Sequence, residues 1–152
     1  MASLLPLISE ILPMIMPASA QVMRADQLRP AAASTLDGPV VTRSAVIDKC
    51  DKMCASVLTI RPRSSSPVRH NSEQDAIIYA TSGTGIFMVK EGVEADIQRY
   101  ELSQGDFAWI PAWTEHRVQN DTDTDAVWIV FQSGPHPVGA ILADWGGNEV
   151  SA

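Results

Sequence analysis

The chain has 152 residues, 45% hydrophobic and 19% charged, with a formal net charge of −7. That length and composition fit one domain with a real core. The acidic balance, with no run of five basic residues to offset it, works against nucleic-acid backbones and anionic lipid and leaves a small molecule as the expected partner.

The first segment, MASLLPLISEILPMIMPASA, ends in Ala18-Ser19-Ala20, which mimics a secretory cleavage site. No Lys or Arg precedes its apolar run, Glu10 sits inside it, and Pro6, Pro13 and Pro17 interrupt it. It is also too short and broken to span a bilayer. It reads as an apolar arm or short helix that packs on the following domain or on a partner subunit, and the expected location is cytoplasmic. Residues 21–38 show no clean period and read as a linker with one helical turn, so residues 1–38 form an arm and linker.

From residue 39 the texture changes to short β-like runs bounded by turn formers. The predicted strands are Val40–Val46, Ala55–Arg61, Ala76–Thr81, Gly85–Val89, Ala95–Leu102, Phe107–Ile110, His116–Gln119 and Ala126–Gln132. Ser64-Ser65-Ser66-Pro67, Ser82-Gly83-Thr84-Gly85, Glu91-Gly92, Ser103-Gln104-Gly105-Asp106 and Asn120-Asp121-Thr122-Asp123 separate them. Strands without intervening helices predict an all-β sandwich or barrel, here over residues 39–147, with 148–152 as a tail. Val127-Trp128-Ile129-Val130-Phe131 is apolar throughout, as a strand buried on both faces would be. Val138 to Trp145 reads as a last strand or an arm covering a sheet edge. Cys50 and Cys54 form a lone C-x3-C that reads as two reduced thiols rather than a zinc site.

Residues 105–120 read GDFAWIPAWTEHRVQN. Gly105-Asp106 turns the chain into a strand. Pro111 ends that strand, because proline cannot continue a central ladder. The next strand carries His116, directed into the barrel by the alternation of faces, and Asn120 closes the following turn. A lone histidine is by default a satisfied core residue; its place in this pattern makes His116 the first site candidate. Trp113 suits either turn packing or an aromatic lid at the barrel mouth. The segment resembles the second signature of the cupin superfamily, G-x5-P-x-G-x2-H-x3-N, with Gly105, Pro111, His116 and Asn120 at the required spacing and Trp113 where the family usually has glycine. The resemblance implies a jelly-roll β-barrel with a small-molecule site inside.

The family's first signature, G-x5-H-x-H-x3,4-E-x6-G, supplies two His and a Glu to a metal. Here its end is recognisable in Ile78-Tyr79 through Gly83 and Gly85, but the Glu position falls on Ala76. The shorter spacing puts the two His positions at His70 and Ser72, the longer at Arg69 and Asn71. Gln74 shares a strand face with Ala76, whereas Glu73 and Asp75 read as solvated turn residues. A metal would therefore have His70 and His116, with Gln74 as a weak third ligand, where iron, manganese or nickel wants three or four His or carboxylate ligands. The expected cofactor is none, or one divalent metal (Fe, Mn, Ni or Zn).

The stretches RPRSSSPVRHNSEQDAIIYATSGTG and GDFAWIPAWTEHRVQN also resemble small one-domain cupins of fungal aromatic polyketide pathways, which implies a hydroxyaromatic or polyketide-like substrate. The leading expectation is a non-redox enzyme of the isomerase, cyclase, dehydratase or decarboxylase type. His116 would act as general base or acid, and His70 as second acid–base group. Gln74 would hydrogen-bond a carbonyl, and Arg69 would pair with a carboxylate or phenolate. Trp113 and Asn71 complete the expected substrate contacts. The alternatives are a metal-dependent dioxygenase and a barrel that binds without turnover. The apolar arm, which has to bury itself, predicts a homodimer.

Overall fold

The structure, a computed structural model, describes residues 18–31, 38–92 and 95–151. After a single 3-10 turn at Ala25–Gln27, the strands are β1 (Arg29–Pro30), β2 (Val40–Val46), β3 (Met53–Ile60), β4 (Ser64–Ser65), β5 (Arg69–Asn71), β6 (Ala76–Ser82), β7 (Gly85–Lys90), β8 (Ile97–Leu102), β9 (Phe107–Ile110), β10 (Glu115–Asn120), β11 (Ala126–Ser133), β12 (Gly139–Leu142) and β13 (Glu149–Ser151). The first sheet runs β1-β2-β3-β11-β6-β9 and the second β13-β12-β5-β10-β7-β8, with β4 also paired to β10. Two antiparallel sheets whose spatial neighbours are distant in the chain make a jelly roll, the all-β architecture expected from the sequence. No helix among the described residues is long and apolar enough to cross a membrane.

Alternation closes the barrel. In β3, Cys54, Ser56, Leu58 and Ile60 are buried while the residues between them are not, because successive side chains point to opposite faces. The same parity buries Ala76, Ile78 and Ala80 on β6 and Phe87 and Val89 on β7. These inner faces meet around Trp128, which is fully buried. Gly85 lies under the Trp128 indole, where a Cβ would stand 2.6 Å from Cζ2. Gly83 has φ +70, and a Cβ there would collide with the Asp125 carbonyl oxygen. Both glycines therefore belong to the packing.

Asn120 closes the inner end of β10 with no exposed surface. Its Nδ2 donates to the carbonyls of Ile60 and Thr124, both at 2.8 Å, and its Oδ1 accepts from the Thr122 N–H and hydroxyl at 2.9 and 2.7 Å. One amide thus ties β10, the end of β3 and the following turn together. By contrast, β10 meets β7 over five registered pairs but β5 over one, His116 with Arg69.

β2 and β9 have the bounds expected from the sequence, and the other predicted strands shift by one to two residues at their ends. The linker's expected helical turn is the short 3-10 turn at Ala25–Gln27; the arm over residues 1–17 lies outside the described residues. Four short strands go unannounced in the sequence. β4 was expected as part of a turn, and β1 lies within the expected linker. β5 is the third. β13 occupies the expected tail, where pairing with β12 makes it the edge of the second sheet. β12 lies within Val138 to Trp145, expected as a last strand or an arm over a sheet edge, and is the last strand but one.

Candidate active site

β10 carries the burial pattern of a half-inward strand, with His116, Val118 and Asn120 buried and the residues between them only partly so. His116 is 6% exposed and faces Val89 of β7 and Arg69 of β5 as its cross-strand partners. Its Nδ1 lies 3.0 Å from the Thr114 carbonyl oxygen. A carbonyl can only accept, so Nδ1 carries the proton and Nε2 keeps its lone pair in the neutral ring. Burial pushes the imidazole down from 6.5 to about 4; the Thr114 hydrogen bond opposes this, and the charges of Arg69 and His70 add to it. At neutral pH, His116 is an uncharged ring presenting a free base.

Directly opposed residues of an antiparallel pair share a face, so the His116–Arg69 register puts the Arg69 side chain on the His116 side. Burial lowers the guanidinium from its ordinary value. No ion pair or hydrogen bond engages this side chain among the described residues. A desolvated cation without a counter-charge is costly in a folded chain.

The remaining candidates divide. Asn71 shares the parity of Arg69 and is half-buried, and its carbonyl accepts from the Trp113 N–H at 2.9 Å. His70 falls on the opposite parity, and its ring lies 5.2 Å from that of Trp113. Its Nδ1 is buried without a hydrogen-bond partner among the described residues. Trp113 is largely exposed and has φ 66, a left-handed conformation that glycine adopts freely and tryptophan does not. Gln74 is buried on the side of Ala76, but its amide is engaged: Nε2 donates to the His136 carbonyl at 2.7 Å, and Oε1 accepts from Gln132 Nε2 at 3.0 Å and from the Val138 N–H at 2.8 Å. It anchors the loop after β11.

A cleft of about 860 Å³ opens between the sheet edges β8 and β9, with Phe87, Val89, Tyr100, Leu102, Ala108 and Thr114 among its walls. Three of these adjoin His116: Val89 is its cross-strand partner, Thr114 holds its Nδ1, and the Phe87 ring is 6.1 Å away. The cleft thus ends against the shell of His116. The named candidates stand behind this wall and do not line the cleft. The aromatic wall was missed in the sequence, where only alternation along β7 and β8 hints at it. The Thr114 contact is a backbone group that no side-chain motif announces.

A family model described as "Cupin domain" matches residues 56–132, just over half of the chain. The chain belongs to the cupin family. No curated protein matches it in sequence. Among solved structures, this cupin resembles Peruvianin-I, described as a cysteine peptidase from Thevetia peruviana latex, at 15% identity and TM-score 0.68, covering 86% of this chain and 82% of that one. It resembles an oxalate decarboxylase of Bacillus subtilis at 15% identity and TM-score 0.65, covering 72% of this chain and 29% of that one. It resembles the capsular polysaccharide assembling protein CapF from Staphylococcus aureus at 20% identity and TM-score 0.60, covering 69% and 30%. The chain therefore spans less than a third of the latter two proteins. At these identities the likeness is one of fold, which many chemistries share.

The cupin signatures imply a metal, and the residues present do not fit one. The register selects the longer spacing, so Arg69 and Asn71 occupy the two His positions and Ala76 the Glu position, leaving His116 as one good ligand. Among the described residues, no group of three or more His, Cys, Asp or Glu side chains can hold an ion. His70, His116 and Gln74, the ligands expected if a metal is bound, contain only two His, Cys, Asp or Glu side chains between them. His70 has the opposite parity from Arg69, the cross-strand partner of His116, Gln74 is engaged by the loop, and the Arg69 cation beside His116 would repel a metal ion.

Proposed function

We propose that this cupin binds an acidic or enolisable small molecule, of the hydroxyaromatic class that the sequence resemblance implies, and moves a proton on it without redox chemistry. The observation that carries the reading is the pairing of an uncharged His116 and Arg69 on the same face of neighbouring strands, with no partner for Nε2 or for the guanidinium among the described residues. In the step, Nε2 takes a proton from a substrate C–H beside a carbonyl or from a phenol O–H. The bonding pair stays on the substrate as enolate or phenolate, Arg69 balances the new negative charge, and the imidazolium returns the proton to the same or another atom. Return to another atom isomerises the substrate. An imidazole held down to about 4 is a weak base before substrate arrives. An anion beside Arg69 cancels the repulsion and strengthens the base as charge develops.

Dihydroxyacetophenone, which carries phenols and an enolisable methyl ketone, tests the reading. In D2O the protein should accelerate deuterium entry into the methyl group, read by NMR. His116→Gln should lose about 100-fold or more of that rate, and Arg69→Gln should weaken binding about tenfold with a smaller loss of rate. Exchange unchanged in both variants overturns the proposal. Binding that needs Arg69, with no exchange in any variant, supports the non-catalytic binder instead. That second reading rests on the replacement of the motif residues at 69, 71 and 76.

A further inference from the structure

The outer face of the first sheet is apolar across four strands. One cross-strand row runs Val57, Ile129, Tyr79, Phe107, and the next runs Ala55, Phe131, Ile77, Trp109. None of these side chains is charged. Phe107 is 67% exposed, Trp109 65%, Ile77 46% and Phe131 45%. Together these four present on the order of 450 Å² of apolar surface, from the typical size of such side chains. A monomer rarely exposes a contiguous apolar patch of more than a few hundred Å². The outer face of the second sheet shows the contrast, interleaving Glu115, Arg117, Lys90, Arg99 and Glu101 with its apolar residues.

We infer that this face is the interface between two copies of the chain, packed sheet on sheet about a two-fold axis parallel to the strands. Area and shape point to a second copy. A stable interface takes roughly 800 Å² from each partner, and the four exposed residues alone supply over half of that. Side-chain size also contrasts between the two ends of each row, small at Ala55 and Val57 on β3 and bulky at Trp109 and Phe107 on β9. The proposed axis lays the bulky end of one face over the small end of the other, so Trp109 meets the partner's Ala55 and Phe107 meets the partner's Val57. A face small at one edge and bulky at the other is complementary to its own rotated copy, as an isologous contact requires. Sheets packed with their strands near 30° interdigitate over about 10 Å, and the half-buried Ile129 and Tyr79 then complete the centre.

The test uses the full chain in sedimentation equilibrium at micromolar concentration. The wild type should give twice the chain mass, and Phe107→Glu with Trp109→Glu should give the chain mass while keeping the far-ultraviolet circular dichroism of the wild type. Ile97→Glu, on the outer face of the second sheet, should leave the dimer intact. A second variant guards against misfolding: Ala55→Cys with Trp109→Cys. These positions lie three strands, or roughly 14 Å, apart within one chain, too far to bridge internally, so oxidation should produce a covalent dimer. A monomeric wild type, a dimer that survives both glutamates, or no cross-link in the cysteine variant would each overturn the inference. A dimer that survives the glutamates but is lost when residues 1–17 are removed would assign the contact to the arm and overturn it as well.

Discussion

β10 and β5 lie side by side and share one face of the candidate site, yet they have kept different parts of the family pattern. On the β10 side, Gly105, Pro111, His116 and Asn120 keep their spacing. On the β5 and β6 side the glycine at 83 remains, while the ligand positions hold Arg69, Asn71 and Ala76. What persists is what the fold needs. Asn120 answers four hydrogen bonds inside the barrel, and Gly83 has no room for a Cβ. What has changed is what a metal needs. His116 spans the two groups: its Nδ1 serves the backbone, and its cross-strand partner Arg69 belongs to the altered half.

Removing Asn120 is the largest way to break this contrast. Asn120→Ala should cost about 3–5 kcal/mol, because it removes the side-chain partner of the Ile60 carbonyl and of the Thr122 N–H in a closed space. Urea unfolding should show the lowered midpoint, and a loss under 1 kcal/mol would break the division between fold residues and site residues. Acid comes next. Between the ordinary histidine value of 6.5 and about 4, the unfolded chain binds a proton that folded His116 refuses. Stability therefore rises with pH across that window and is lost as pH falls through it, by about 3 kcal/mol in all. In His116→Gln this component should vanish, leaving a flatter profile of unfolding free energy from pH 6.5 to 4. The smallest effect sharpens the comparison at its one exception, Trp113, which stands at φ 66 in the otherwise retained half. Trp113→Gly should be about 1 kcal/mol more stable than Trp113→Ala, because only alanine keeps the left-handed strain; equal thermal midpoints would remove strain from the account.

The sequence was most legible where residues act through spacing. Alternation and turn residues locate the long strands, and the interval from Gly105 to Asn120 places His116 and directs it inward. The site half on β5 was harder. Arg69-His70-Asn71 has neither β-branched residues nor apolar alternation, so nothing local marks it as a strand; it is extended because β10 and β12 pair with it. Two spacings of the first signature fit the sequence equally well, and the cross-strand partner of His116 distinguishes them. Gln74 was placed correctly on the inner face, but its engagement with the loop after β11 depends on residues some sixty positions away, beyond any local pattern.

The segment that carries Arg69 is pinned on both sides of its one rung with β10. On one side the Ser66 N–H donates to the Val118 carbonyl at 2.9 Å and Ser66 Oγ accepts from the Val118 N–H at 3.0 Å. On the other the Asn71 carbonyl accepts from the Trp113 N–H at 2.9 Å. Main-chain clamps, and not the two side chains themselves, therefore set the spacing between the strand that bears the cation and the strand that bears the imidazole.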